Sequence, residues 1–129
     1  MSDAAVKKKR PVYLNLVAIR LPLPAFVSIL HRISGAFLFL AVVWLLFMLD
    51  RSLSSESGFE SVKRYMKLWP VKLAMLAIVW AYCHHFCAGV RVLLLDLHKG
   101  IDLATARMTS WLVLAASLLL TALFGWKLW

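Results

Sequence analysis

The stretch LAMLAIVWAYCHHFCAGV, Leu73 to Val90, decides the fold. Its 18 residues contain no acid, lysine or arginine. An α-helix needs roughly 20 such residues to cross a bilayer core about 30 Å thick. The apolar residues do not alternate as a membrane barrel strand would require. Two similar runs lie on either side. Ile33 to Leu49 has 17 uncharged residues and Met108 to Trp126 has 19. Extending the first run back to Leu21 adds only His31 and Arg32 as strongly polar interruptions. A helix satisfies its backbone groups within its own span, so three transmembrane helices are expected.

Composition agrees. Of 129 residues, 63% are apolar and 16% charged, with mean hydropathy +0.81. A soluble domain is roughly 45–50% apolar and about 25% charged, and one of this size has too little interior to hide the excess. Cys83 and Cys87 lie inside the second apolar run, which excludes a disulfide framework. They flank the histidines at i,i+4; with no clear fourth ligand in the span, packing is the better reading than zinc.

The boundaries follow from local chemistry. Pro22 and Pro24 suit the approach to a helix and its first turn, where a missing N–H costs little. Ser52, Ser54, Ser55, Ser57 and Gly58 read as a polar loop, and Lys99-Gly100 as the end of the second span. Trp44, Trp69, Trp111, Trp126 and Trp129 lie mostly toward span ends, where interfacial aromatics are favoured. The expected layout is a cytoplasmic segment 1–23, helices 24–50, 68–96 and 107–129, a periplasmic loop 51–67 and a cytoplasmic loop 97–106.

The formal charge of +9 marks topology rather than nucleic-acid binding, because the cations cap apolar segments. The N-terminal side carries Lys7, Lys8, Lys9, Arg10, Arg20, Arg32, Arg91, Lys99 and Arg107. The other side carries Arg51, Lys63, Arg64, Lys67, Lys72 and Lys127. Nine basic groups against six place the N-terminus in the cytoplasm and the C-terminus in the periplasm. The first ten residues are too short and polar for a secretory signal and lack transit-peptide character. Insertion in a bacterial inner membrane is expected.

Ionisable groups at membrane depth point to function by default. Ser28, His31 and Arg32 stand at i, i+3 and i+4 and share one helical face. Together they offer donors for a carbonyl or carboxylate; a lone arginine there would simply snorkel. His84 and His85 point about 100° apart, so at most one faces a given site. A buried neutral imidazole serves equally as a haem-iron ligand or as an interhelical hydrogen-bond partner. His85 is 11 residues from Asp96, roughly 16 Å along the axis. Arg32 is 8 residues from Pro24, roughly 12 Å, so the two constellations share a depth. Gly89, one turn beyond His85, would leave room for a flat macrocycle. Asp96 ends the second helix and is a candidate partner for Arg91. Phe37, Phe39, Trp44 and Phe47 are expected to face lipid or another chain.

The run Arg10-Pro11-Val12, then Leu16, then Ser28-Ile29-Leu30-His31-Arg32-Ile33-Ser34-Gly35 resembles the succinate dehydrogenase cytochrome b subunit family. That family is the larger membrane anchor of succinate–quinone reductase. A second motif, His-x-x-x-Gly-x-Arg with an acid beyond, reads His85-Phe86-Cys87-Ala88-Gly89-Val90-Arg91 with Asp96. Val92 follows the motif arginine, where bacterial relatives often have His or Phe.

The resemblance implies an all-α integral membrane chain whose three helices form part of a heteromeric bundle. It implies His85 as an axial ligand of haem b, Ser28 and Arg32 at a ubiquinone site, and His31 with Arg32 near the haem propionates. The second axial ligand would come from a smaller membrane anchor; His31 is the rival within this chain. Succinate would be oxidised on a flavoprotein and an iron–sulfur subunit carrying FAD and iron–sulfur clusters, because this chain has no motif for either. A quinol–fumarate reductase anchor would run the reaction in reverse. A small membrane transport or assembly protein with no redox role is the reading from a different class.

Overall fold

The computed structural model describes residues 19–128. The Arg10-Pro11-Val12 and Leu16 positions, most of the basic N-terminal cluster and Trp129 lie outside them. Four α-helices follow in order: α1 (Leu23–Ser54), α2 (Glu56–Met66), α3 (Trp69–Asp96) and α4 (Leu103–Gly125), closed by a 3₁₀ turn at Trp126–Leu128. Helices α1, α3 and α4 are long and apolar enough to cross a membrane. The chain is therefore an all-helical, multi-pass membrane protein.

Proline starts two of the spans. Pro22 caps α1 in an extended conformation with Pro24 in its first turn, and Pro70 sits in the first turn of α3. At about 1.5 Å per residue, the 32 residues of α1 run roughly 48 Å, well beyond the hydrocarbon core.

The connector expected as a polar loop is mostly helical. Nothing between Arg51 and Ser54 breaks a helix, so α1 continues to Ser54, whose hydroxyl donates to the Arg51 carbonyl at 2.9 Å. Ser55 then turns extended (φ −168°, ψ 161°) and caps α2, its Oγ accepting from the Gly58 N–H at 3.0 Å. Glu56 in the first turn and Lys63 and Arg64 in the last complement the helix dipole. Gly58 is required because a Cβ there would meet the Arg51 carbonyl of α1. Serines and a glycine make this corner, and the same residues made the segment read as a loop.

At the other end, α3 stops at Asp96, before Lys99-Gly100. His98 (φ 57°) and Gly100 (φ 76°) both take left-handed conformations. The N–H groups of His98 and Lys99 donate to the carbonyls of Leu95 and Leu94, satisfying the helix end. Asp102 caps α4, its carboxylate accepting from the Thr105 N–H at 2.8 Å. That hydrogen bond, reinforced by the Thr105 side chain, holds the Asp102 carboxyl below the usual carboxylate range. A depressed folded pKa contributes its full stabilisation above the unfolded value and loses it as pH falls through the folded one. Asp102→Ala should therefore fray the first turn of α4 at neutral pH, seen as faster amide exchange at Thr105. Wild type should fray there only in acid below the ordinary aspartate value.

Helix α3 lies between α1 and α4 and packs on both. The contacts are made by small side chains: Ala81, Cys83 and Ala88 on α3, Ser110 and Ser117 on α4, and Ser34 and Ala41 on α1 are buried. Small residues let helix backbones approach closely where no water drives association. Val27, Ala88 and Val113 form the three-helix core, with Cys87 packed against it. Both cysteines are free and serve packing. Hydroxyls within the spans return to their own helices: Ser110 donates to Ala106 O at 2.7 Å and Thr121 to Ser117 O at 2.6 Å. Only 11% of the most apolar stretch of α1 is covered by this chain, against 28% for α3 and α4, so α1 turns most of its surface outward. Phe37, Phe39 and Phe47 are on that exposed surface.

Candidate functional site

The site forms where α1 and α3 meet. His85 on α3 places Nδ1 3.0 Å from the His31 carbonyl oxygen and 3.3 Å from Ser34 Oγ, both on α1. A carbonyl only accepts, so Nδ1 carries the proton and donates, and the lone pair is left on Nε2. Ser34 Oγ donates to the same His31 carbonyl at 2.9 Å, leaving its oxygen lone pair toward the Nδ1–H. All three contacts agree on one tautomer.

Gly35 makes this approach possible. In an α-helix the His31 carbonyl already accepts from the N–H four residues on, that of Gly35. A second donor reaches it only where no side chain intervenes, and a Cβ on Gly35 would lie 2.8 Å from His85 Cε1. The glycine against the histidine ligand candidate is thus Gly35 on the opposite helix. Gly89, the sequence-based candidate, instead faces His31, where a Cβ would stand at an ordinary 3.7 Å from Nε2.

The rings of His31 and His85 stack, with centroids 4.3 Å apart and planes 28° from parallel. His31 Nε2 is buried with no hydrogen-bond partner among the described residues. His84 points elsewhere. It is 0% exposed, its ring stacks on Trp80 at 5.5 Å, and it lies against the Val27 backbone of α1. The adjacent histidines therefore occupy different environments, as their angular separation requires.

Ser28 is half-buried and Arg32 exposed, one turn apart on α1. Neither is brought into a hydrogen bond with another described residue. Arg91 departs from expectation. It is only 8% exposed, and its Nε donates to Thr109 Oγ1 on α4 at 3.2 Å; no ion pair with Asp96 is present among the described residues. Arg91 and Asp96 are five residues apart on α3, about 140° around the axis, so they do not share a face. Sequence reasoning also assigned no role to Ser34 and Gly35, although the spacing from His31 places both within a turn of it.

A family model described as the succinate dehydrogenase/fumarate reductase transmembrane subunit matches residues 6–124. Among similar curated proteins is the succinate dehydrogenase cytochrome b556 subunit of Coxiella burnetii, 32% identical over 123 residues, covering 94% of this chain and 98% of that one. The subunit of the same name from Rickettsia typhi is 30% identical over 118 residues, 92% of each chain. That from Paracoccus denitrificans is 30% identical over 114 residues, 88% of each.

Proposed function

The chain belongs to the succinate dehydrogenase/fumarate reductase transmembrane-subunit family, and from that premise we propose that it anchors a succinate dehydrogenase in the membrane, binds haem b and passes electrons to ubiquinone. The observation that carries the haem reading is the His85 Nδ1–His31 carbonyl hydrogen bond. A metal-bound histidine characteristically donates its other ring N–H to a carbonyl or carboxylate, which fixes the ring and makes the ligating nitrogen more basic. Here that arrangement leaves Nε2 of His85 free, the atom that would hold the haem iron. The relatives' name, cytochrome b556, agrees with such a group.

The residues fit haem b. His85 would hold the iron, and His31, whose Nε2 is buried without a partner, would donate to a propionate together with Arg32. The rings of His31 and His85 stand side by side, stacked at 4.3 Å, so His31 is better placed to reach a propionate than to share the iron. A second iron ligand would then be supplied by a partner, the smaller membrane anchor, which would cover part of the exposed surface of α1. When bound, the haem supplies a one-electron site inside the bilayer.

This chain's own part in quinone reduction is electrostatic. Arg32 would stabilise negative charge developing on a quinone oxygen, and the Ser28 hydroxyl would donate to the same substrate. Succinate oxidation belongs to a flavoprotein and an iron–sulfur subunit docked on the cytoplasmic face. In the corresponding topology residues 1–23 and the α3–α4 turn are cytoplasmic, and α2 is periplasmic.

A reduced-minus-oxidised optical spectrum of the purified complex tests this function. A b-type band is expected, and its absence would remove the haem assignment. Gly35→Val gives a finer test. The new side chain must displace the His85 ring, so haem content should fall by about 10-fold or more, the scale of outer-shell changes at metal sites. Unchanged haem content in a folded Gly35→Val complex would mean that His85 is not held as described.

A further inference from the structure

A cavity of about 460 Å³ opens between α3 and α4 at the membrane face where α3 ends. This lies within the roughly 300–1,000 Å³ range of ligand sites. Its walls are almost wholly apolar, with Phe86, Val90 and Leu94 on the α3 side and Leu112 and Ala116 on the α4 side. Two of the lining residues are cationic, Arg91 and Lys99, and none is acidic. Asp96 and Asp102 stand at the same end of the bundle but do not line it, and the Asp102 carboxylate is engaged in capping α4.

Arg91 lines the cavity and is more than nine-tenths buried, and its one hydrogen bond among the described residues is from Nε to Thr109. A guanidinium carries five N–H donors, so it has capacity left for an anion at this end of the groove. The left-handed turn at His98 and Gly100 brings Lys99 over the same mouth. Arg91 is five residues inside the end of α3, roughly 7 Å along the axis, the depth from which an arginine reaches interfacial phosphates. Phe86 lies a further five residues inward, at the apolar end. The cations thus sit at the headgroup level and the furrow runs from them into the hydrocarbon.

We propose that this groove binds an anionic phospholipid, its phosphate on Arg91 and Lys99 and one acyl chain along the furrow. A free phosphate would leave the apolar walls uncovered. A protein helix seated there would need an anion of its own at the depth of Arg91.

Native mass spectrometry of the intact complex, exchanged into mixed phosphatidylglycerol–phosphatidylethanolamine nanodiscs and then released, tests the site. Wild type should retain phosphatidylglycerol selectively. The double variant Arg91→Gln, Lys99→Gln should lower that retention about 10-fold or more, since each interfacial cation contributes several-fold. Arg91→Lys should keep most of it. Ala116→Phe, which fills the furrow without changing charge, should release the lipid while every subunit stays bound. Equal retention of both lipids by wild type, or full retention in the double variant and in Ala116→Phe, would overturn the proposal. Loss of a partner subunit from Ala116→Phe would also overturn it, by showing that a protein helix fills the groove. Haem content is expected to be unchanged in all these variants, which separates this site from that of His85.

Discussion

His85→Ala should strip the b-type spectrum from the assembled complex, whereas His84→Leu should keep it. The two histidines are neighbours in sequence and opposites in environment. His85 has Nδ1 committed to the His31 carbonyl and Ser34, which orients the ring and frees Nε2 for iron. Alanine offers no ligand. His84 is turned away from that site: its ring is fully buried, rests on Trp80 and lies against the Val27 backbone. Leucine, of similar bulk, keeps that packing, so His84→Leu should leave the b-type spectrum in place. Haem lost from the His84 variant and retained in the His85 variant would reverse the ligand assignment.

Arg32→Leu should lower ubiquinone reduction about 100-fold, the scale of removing one preorganised charge-stabilising donor from a site sheltered from water. Succinate oxidation measured with a soluble artificial acceptor should be unaffected, because that chemistry belongs to other subunits. Ser28→Ala should cost up to about 10-fold in the same assay, the worth of one neutral hydrogen bond. The physical basis is that both side chains stand one turn apart on α1 and neither is engaged by another described residue of this chain. Arg32 is exposed on a helix whose surface is largely uncovered, so its charge acts on whatever lies against α1. If both variants reduce ubiquinone at the wild-type rate, the quinone site is elsewhere.

Several features of the site were legible from spacing. Similar depths for His85 and the Ser28–His31–Arg32 cluster followed from counting residues to each helix end, and His31 and His85 are in ring contact. The roles of Ser34 and Gly35 were not legible, because they act on a residue 50 positions or more away. Arg91 was read against Asp96, its neighbour along the chain, and bonds instead to Thr109 across the α3–α4 interface. Helix α2 was hidden by its composition: Ser55, Ser57 and Gly58 are turn residues by propensity, and here cap a helix and let it lie against α1.

By itself the sequence determined that there are three spans, although α1 runs on to Ser54 and α4 starts at Leu103 rather than 107. Burial in lipid depends on apolar content summed along a segment, and needs no knowledge of what the segment touches. Prolines mark the starts of α1 and α3 for equally local reasons. The tertiary structure alone decided how each helix is rotated about its axis. A span that is apolar all round carries no periodicity to declare an inner face. Rotation is set by which small residues are buried between helices, Ala81, Ala88, Ser110, Ser117 and Ser34, which lie on three separate helices. That rotation turns His85 toward the His31 carbonyl, puts His84 against Trp80, and leaves Arg91 facing the groove beside α4.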